Sequence, residues 1–264
     1  MKIVTFALAC LALFPFPLLA ETNLWSRIRE LSGHGTPQGA LEREAFLRTL
    51  SPAQMLQAAR EYCELSEVNV QKEDRDGESV GPVGVALGFY GNQDGSLSDD
   101  ALNTLLGCIE SGKEGEVFRE SLLLLLRQRY WMHLTEKQRN ESKEVFFALL
   151  SDDSAPTQLR VWTCREIELA IADEYRRVTY TDKNVSAVNN KKLSWSDRDD
   201  LIRSGEIHLD PETKQSWKAI RTEIERILPK LSALSNDSDV SPNLKAMAQH
   251  AIESFTKLPL MTEE

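Results

Sequence analysis

Gly77-Glu78-Ser79-Val80-Gly81 has the G-x-S-x-G spacing of a nucleophile elbow. In that motif a strand delivers the serine to a sharp turn at the head of a helix, within reach of a histidine and an oxyanion hole. Here the residues before it, Gln71-Lys72-Glu73-Asp74-Arg75-Asp76, are charged rather than strand-forming, and the chain has no alternation of strands and helices from which a hydrolase sheet could be built. Catalysis by Ser79 is therefore not expected, and a serine hydrolase using this segment with one of the histidines as base is kept as the competing enzymatic reading. His34, His133, His208 and His250 are too scattered for a metal motif such as HExxH. Asp94, Ser96, Ser98, Asp99 and Asp100 suggest a calcium loop, but the sixth position from Asp94 is Asp99 rather than glycine and the twelfth is Leu105 rather than glutamate. Acidic residues in the first turn of a helix explain the cluster better. No cofactor or metal site is expected.

The cysteines offer a second chemistry. Cys63, Cys108 and Cys164 each sit beside apolar residues in a helical pattern, where a thiol is a small core side chain. In an oxidising compartment Cys63 and Cys108, 45 residues apart, could face each other as a disulfide and leave Cys164 unpaired. The first twenty residues point to such a compartment. One lysine, an apolar run from Ile3 to Leu13, Pro15 and Pro17, and a small residue at Ala20 make a signal peptide pattern, with cleavage near Ala20 and export to a periplasmic or external space. Elsewhere no stretch has the roughly 18 to 20 apolar residues that a membrane span requires.

The chain carries 41 acidic and 31 basic residues, a formal charge of -10. An acidic surface repels phosphate backbones, which argues against nucleic acid as a partner. A protein partner fits better.

The elements that would hold any site are helical. Thr135 and Gln138 form a capping box ahead of Val145, Phe146, Leu149 and Leu150. After the turn Ser151 to Pro156, Val161, Cys164, Ile167, Ile171, Tyr175 and Val178 recur at spacings of three and four, the mark of one helix face. Two such arms make an αα-hairpin, which cannot bury its apolar face alone and so predicts similar neighbours. Residues 40–66 give an earlier hairpin, and Leu122 to Leu126 run without a break, marking a central core helix. A further helix from Asp210-Pro211 carries Trp217, Ile220, Ile224, Ile227, Leu231 and Leu234, with a kink expected at Pro229, and a last one opens at Ser241-Pro242. Val178 to Thr181 and Glu206 to Leu209 are the only plausible strands. Six of the thirteen glycines fall between Gly77 and Gly95, a run that needs close packing, a flexible loop or a ligand to explain it.

Setting Leu159-Arg160 against Leu244-Lys245 aligns two helix starts 85 residues apart, with Ile167-Glu168 falling on Ile252-Glu253. Half that interval is within the roughly 40 to 47 residues of a HEAT or armadillo repeat. On these residues, and on the turns Leu149 to Arg160 and Leu234 to Lys245, the chain resembles the HEAT-like α-solenoid family. The resemblance implies a curved stack with a concave binding face and no catalytic residue.

The expectation is thus an all-α fold of stacked antiparallel helical hairpins, α-solenoid-like, behind a signal peptide at 1–20. Residues 21–178 form a helical-hairpin domain with a glycine-rich insertion near 77–95, residues 179–200 a polar linker or insertion, and residues 201–264 a C-terminal helical pair. The function expected is that of an exported, soluble protein-binding or scaffold module, with contact at Gly84, Gly88, Phe89 and Tyr90. An envelope structural protein is the remaining alternative.

Overall fold

The computed structural model describes residues 23–32, 36–69, 80–180 and 193–261. The signal peptide, Ser79 with the charged segment before it, His34 and most of the polar linker lie outside them. All the regular structure among the described residues is helical: eleven α-helices and two short 3₁₀ turns, with one π turn. They are α1 (Leu24–Ser32), α2 (Pro37–Leu47), α3 (Pro52–Asn69), α4 (Val80–Ala86), α5 (Asp99–Glu110), α6 (Glu116–Leu125), α7 (Glu136–Ser151), α8 (Thr157–Thr179), α9 (Trp195–Arg203), α10 (Pro211–Asn236) and α11 (Pro242–Thr256).

Short polar side chains start these helices by accepting backbone N–H groups that would otherwise lack partners. Thr36, Ser98, Asp210 and Ser241 do so at α2, α5, α10 and α11. Thr135 with Gln138 closes a full capping box at α7. The Gln138 amide also donates to Leu97 O and Asp99 Oδ1, both at 2.9 Å, and so ties the start of α7 to that of α5.

α6 is the axis of the core, buried along its length from Val117 to Leu125. It continues through a π turn, Leu126–Tyr130, into a 3₁₀ turn, Trp131–His133. The expected core helix is therefore present, with an extra residue wound into its end. Around it helices adjacent in the chain pack on one another: α5 packs on α6, α7 on α8 and α10 on α11, while α8 touches α6, α10 and α11. Before them α1 packs on α2 and α3, and α3 meets α6.

One device recurs at the turns. Arg119, Arg160 and Lys245 are each the fourth residue of the second helix of their pair. Arg119 Nε donates to Ile109 O at 2.8 Å, Arg160 Nη2 to Leu150 O at 3.3 Å and Lys245 Nζ to Ser238 O at 3.3 Å. Arg119 and Arg160 thereby satisfy carbonyls at the C-terminal end of the preceding helix, where the helix dipole favours positive charge, while Lys245 binds the turn just beyond it. Arg160 also bonds Asp153 at 2.9 Å.

Two sequence expectations are corrected. The two candidate strands are absent: Val178 and Thr179 finish α8, held by the Trp217 indole donating to Thr179 Oγ1 at 2.8 Å, and residues 206–209 are irregular. The linker does not extend to residue 200, because Ser194 and Asp197 form a capping box for α9 and put its last residues in a helix. α10 runs on through Pro229, which lies inside the helix. Its apolar seam of Trp217, Ile220, Ile224 and Ile227 stays buried on α8 and α11, which holds the helix together where the proline removes a backbone bond.

Candidate binding surface

α2 and α4 face each other across a groove of about 530 Å³. Its apolar lining includes Leu41, Leu47, Val85 and Phe89, with Arg43 and Glu44 among the charged residues. Leu41 is 62 % exposed although it is a large apolar side chain on a capped helix. Above the Phe89 ring stands the Arg48 guanidinium, 4.2 Å from the centroid, which also bonds Glu44 at 2.7 Å.

α4 forms the back wall, and glycine lets it lie close to its neighbours. A β-carbon on Gly84 would sit 3.5 Å from Leu125 Cδ1, in ordinary contact with α6. One on Gly88 would press on Val85 O at 3.1 Å. The end of α4 is fastened from the π turn, where Arg129 donates to Gly84 O at 3.3 Å and Gly88 O at 2.7 Å, and Tyr130 Oη to Leu87 O at 3.3 Å. Gly91 and Gly95 serve close approach too. A β-carbon on Gly91 would fall 2.9 Å from Ser96 O and 3.0 Å from the Tyr130 ring, and Gly95 has φ +84° with the His133 imidazole against it.

The four residues singled out from the sequence part company here. Gly88 and Phe89 line the groove, and Gly84 lies behind it at the α6 contact. Tyr90 is core: it is buried, its hydroxyl donates to Ala101 O at 3.2 Å, and burial pushes the phenol up to about 12. Cys108 Sγ accepts from Arg60 Nη2 at 3.5 Å, while that guanidinium also holds Glu114 at 2.8 Å. Cys63 is buried on α3, and the bridge that the spacing suggested is not made in this structure: Cys108 is engaged as a thiol, its acidity lowered by burial. Asp94 accepts from the Ser96 backbone N–H and hydroxyl, at 2.9 and 2.7 Å, which makes it a turn former. Among the described residues no cluster of His, Cys, Asp and Glu is arranged to hold a metal.

No family model, curated protein or solved structure matches the chain. What its surfaces can do is decided by their own side chains.

Sequence reasoning missed a layer of charge buried between helices. Lys143 of α7, with a side chain 2 % exposed, donates to Glu174 of α8 at 2.7 Å and to Glu223 of α10 at 2.8 Å. Burial raises the Glu223 carboxyl and the hydrogen bond from Lys143 opposes that rise. Beside it, Arg127 of the π turn is bonded to Asp173 and lies near Glu166, both on α8. The partners of Lys143 lie 31 and 80 residues away, so no local spacing announces them. A second concavity of about 530 Å³ opens between α8, α9 and α11. Its charged groups are matched internally: Glu168 accepts from Ser254 at 2.6 Å and lies 3.5 Å from His250, Asp199 accepts from Tyr175 at 2.7 Å and from Tyr180, and Arg203 donates to Lys257 O at 2.5 Å.

Proposed function

We propose that this is an exported protein-binding module, built as a HEAT-like stack of helical pairs, whose α2/α4 groove receives an apolar residue presented on an acidic segment of a partner protein. The observation that carries the reading is Leu41, left largely exposed at a groove whose apolar lining continues through Leu47, Val85 and Phe89. Large apolar side chains gathered in a concavity mark contact sites more often than scattered ones do. Charge selects the partner. Arg43 in the lining and Arg48 over Phe89 set two guanidinium groups at the groove against Glu44, in a chain that is acidic as a whole. Carboxylates flanking an apolar anchor complement that rim.

The HEAT-like part of the proposal is supported by the turn cations. Arg119 and Arg160 hold the end of the preceding helix in the same way and are 41 residues apart, within the period of such repeats. Arg119 also feels the charge of Asp152 in the next turn, and Arg60 in the body of α3 bonds Glu114 in the turn between α5 and α6, so charge ties these turns to neighbouring pairs. Residues 1–20 support export.

A photo-reactive amino acid at position 41 of the tagged chain, in its native exported compartment, tests the reading, with position 65 of α3 as the exposed control. The expected product is a cross-link from position 41 to a segment in which an apolar residue is flanked by Asp or Glu. Its yield should fall at least tenfold in Phe89→Ala and be absent from position 65. Equal yields at both positions, or a linked segment without carboxylates, would overturn it. Cross-links to a second copy of the chain would replace it with a self-assembling envelope protein.

A further inference from the structure

The buried charge layer contains one carboxylate that its neighbours do not satisfy. Glu166, 3 % exposed on α8, has its Oε2 3.8 Å from Arg127 Nε, beyond hydrogen-bond reach. Both atoms are shut off from solvent and neither has a hydrogen-bond partner. Arg127 is itself nine-tenths buried, and it spends its Nη2 on Asp173, which lies seven residues along the same helix. Its guanidinium also stands 5.1 Å from the Trp131 ring centroid. One buried cation thus faces two carboxylates and is fastened to one.

The remaining charges around Glu166 do not resolve this. On its own helix Arg165 favours the ionised form and Asp173 opposes it. The groups that α7 and α10 turn toward α8, Lys143 and Glu223, meet at Glu174, about two turns further along. His250 of α11 lies at Glu168. Burial outweighs the pull of Arg127 and Arg165 and lifts the Glu166 carboxyl to about 7. The turn that carries Arg127 is a π turn, a local winding that is rare overall yet frequent at functional positions.

We propose that Glu166 and Arg127 form a proton-operated latch on the π turn. While Glu166 carries its proton, Arg127 is held by Asp173 beneath Trp131. When the proton leaves to solvent, the guanidinium closes the gap to the new carboxylate and moves relative to the Trp131 ring. This goes beyond the binding reading and stands or falls separately from it.

The test is the intact chain against Glu166→Gln, which mimics the protonated side chain in shape and charge. The Trp131 contribution to fluorescence, taken in each background as the difference from Trp131→Phe, is followed between pH 5 and 8. A single step centred near pH 7 in the wild type and a flat trace in Glu166→Gln are expected. No step in the wild type, or the same step in the variant, would overturn the latch. Urea unfolding gives a second readout that depends on proton linkage alone. A raised folded-state carboxyl contributes stability below its unfolded value near pH 4.5, and that contribution is lost as pH rises through about 7. Glu166→Gln should therefore match the wild type at pH 4, apart from any constant offset, and gain on it above, the two unfolding constants diverging by up to about tenfold per pH unit as pH rises toward 7. A gap that is the same at pH 5 and pH 8 would refute it.

Discussion

Replacing Lys143 by methionine separates what its charge does from what its volume does. The methionine chain fills most of the space of the lysine stem, so cavity formation is a small part of the effect. What disappears is an ammonium group with bonds of 2.7 and 2.8 Å to Glu174 and Glu223, whose side chains are only 15 % and 19 % exposed. Two poorly solvated carboxylates are left facing each other across α8 and α10. Breaking a buried pair from one side costs roughly 3–5 kcal/mol, or a fall in Tm of about 10 °C for a chain of this size. The loss should depend on pH. Glu223 is already raised by burial, and removing the cation raises it further, so the variant regains stability as it is protonated. Urea unfolding followed by far-UV circular dichroism should show the full deficit at pH 8 and a much smaller one at pH 5. Adding Glu174→Gln and Glu223→Gln to Lys143→Met should recover most of it, because the charges then leave together. A loss below about 1 kcal/mol at pH 8, or one of the same size at pH 5, would refute the view that this ammonium is what lets the two carboxylates be buried.

Two further outcomes follow from the local geometry. Gly107→Ala should raise stability by about 0.5–1 kcal/mol, since Gly107 lies in the body of α5 with open space where its β-carbon would go, whereas Gly91→Ala should lower it through the contact with Ser96 O, both read as urea midpoints. Arg160→Met should cost about 1.5–3 kcal/mol by leaving Leu150 O and Asp153 without their charged donor, and amide hydrogen exchange should show the loss concentrated at the last turn of α7.

How much was legible depends on how local each cause is. Thr135 with Gln138, Ser98, Asp210 and Ser241 announce helices because a cap acts within three residues of itself. The leucine run of α6 is legible for the same reason, since five successive apolar residues demand cover on every side. α9 is hidden because it is short and mostly polar, although its capping box at Ser194 and Asp197 was there to be read. Val178 and Thr179 look like strand until Trp217, 38 residues away, supplies the indole that holds Thr179 in α8. Lys143 looks like a solvated residue on an exposed helix until α10 arrives with Glu223. Of the contact residues named from the sequence, Phe89 lines the groove and Tyr90 is core. That difference is set by which way the chain turns after α4, and Arg129 and Tyr130 fix it from about 40 residues further on.

The two departures from helical rhythm, the glycine run and the extra residue wound into the end of α6, meet at one place. α4 is too short to hold its shape through its own hydrogen bonds, and its glycines weaken it further. It persists because Arg129 binds the Gly84 carbonyl in its last turn and, with Tyr130, the Gly88 and Leu87 carbonyls of the turn that follows, and both side chains come from the π turn. The same turn sends Arg127 the other way, into the layer formed with Asp173 and Glu166. An unbroken α-helix advances about 100° per residue, so Arg127 and Arg129 would already diverge, but the wider winding of the π turn sets where each of them ends. The apolar groove on the outside and the unsatisfied carboxylate on the inside are therefore consequences of one local distortion. Changes that restore ordinary helix at residues 126–130 should disturb both together.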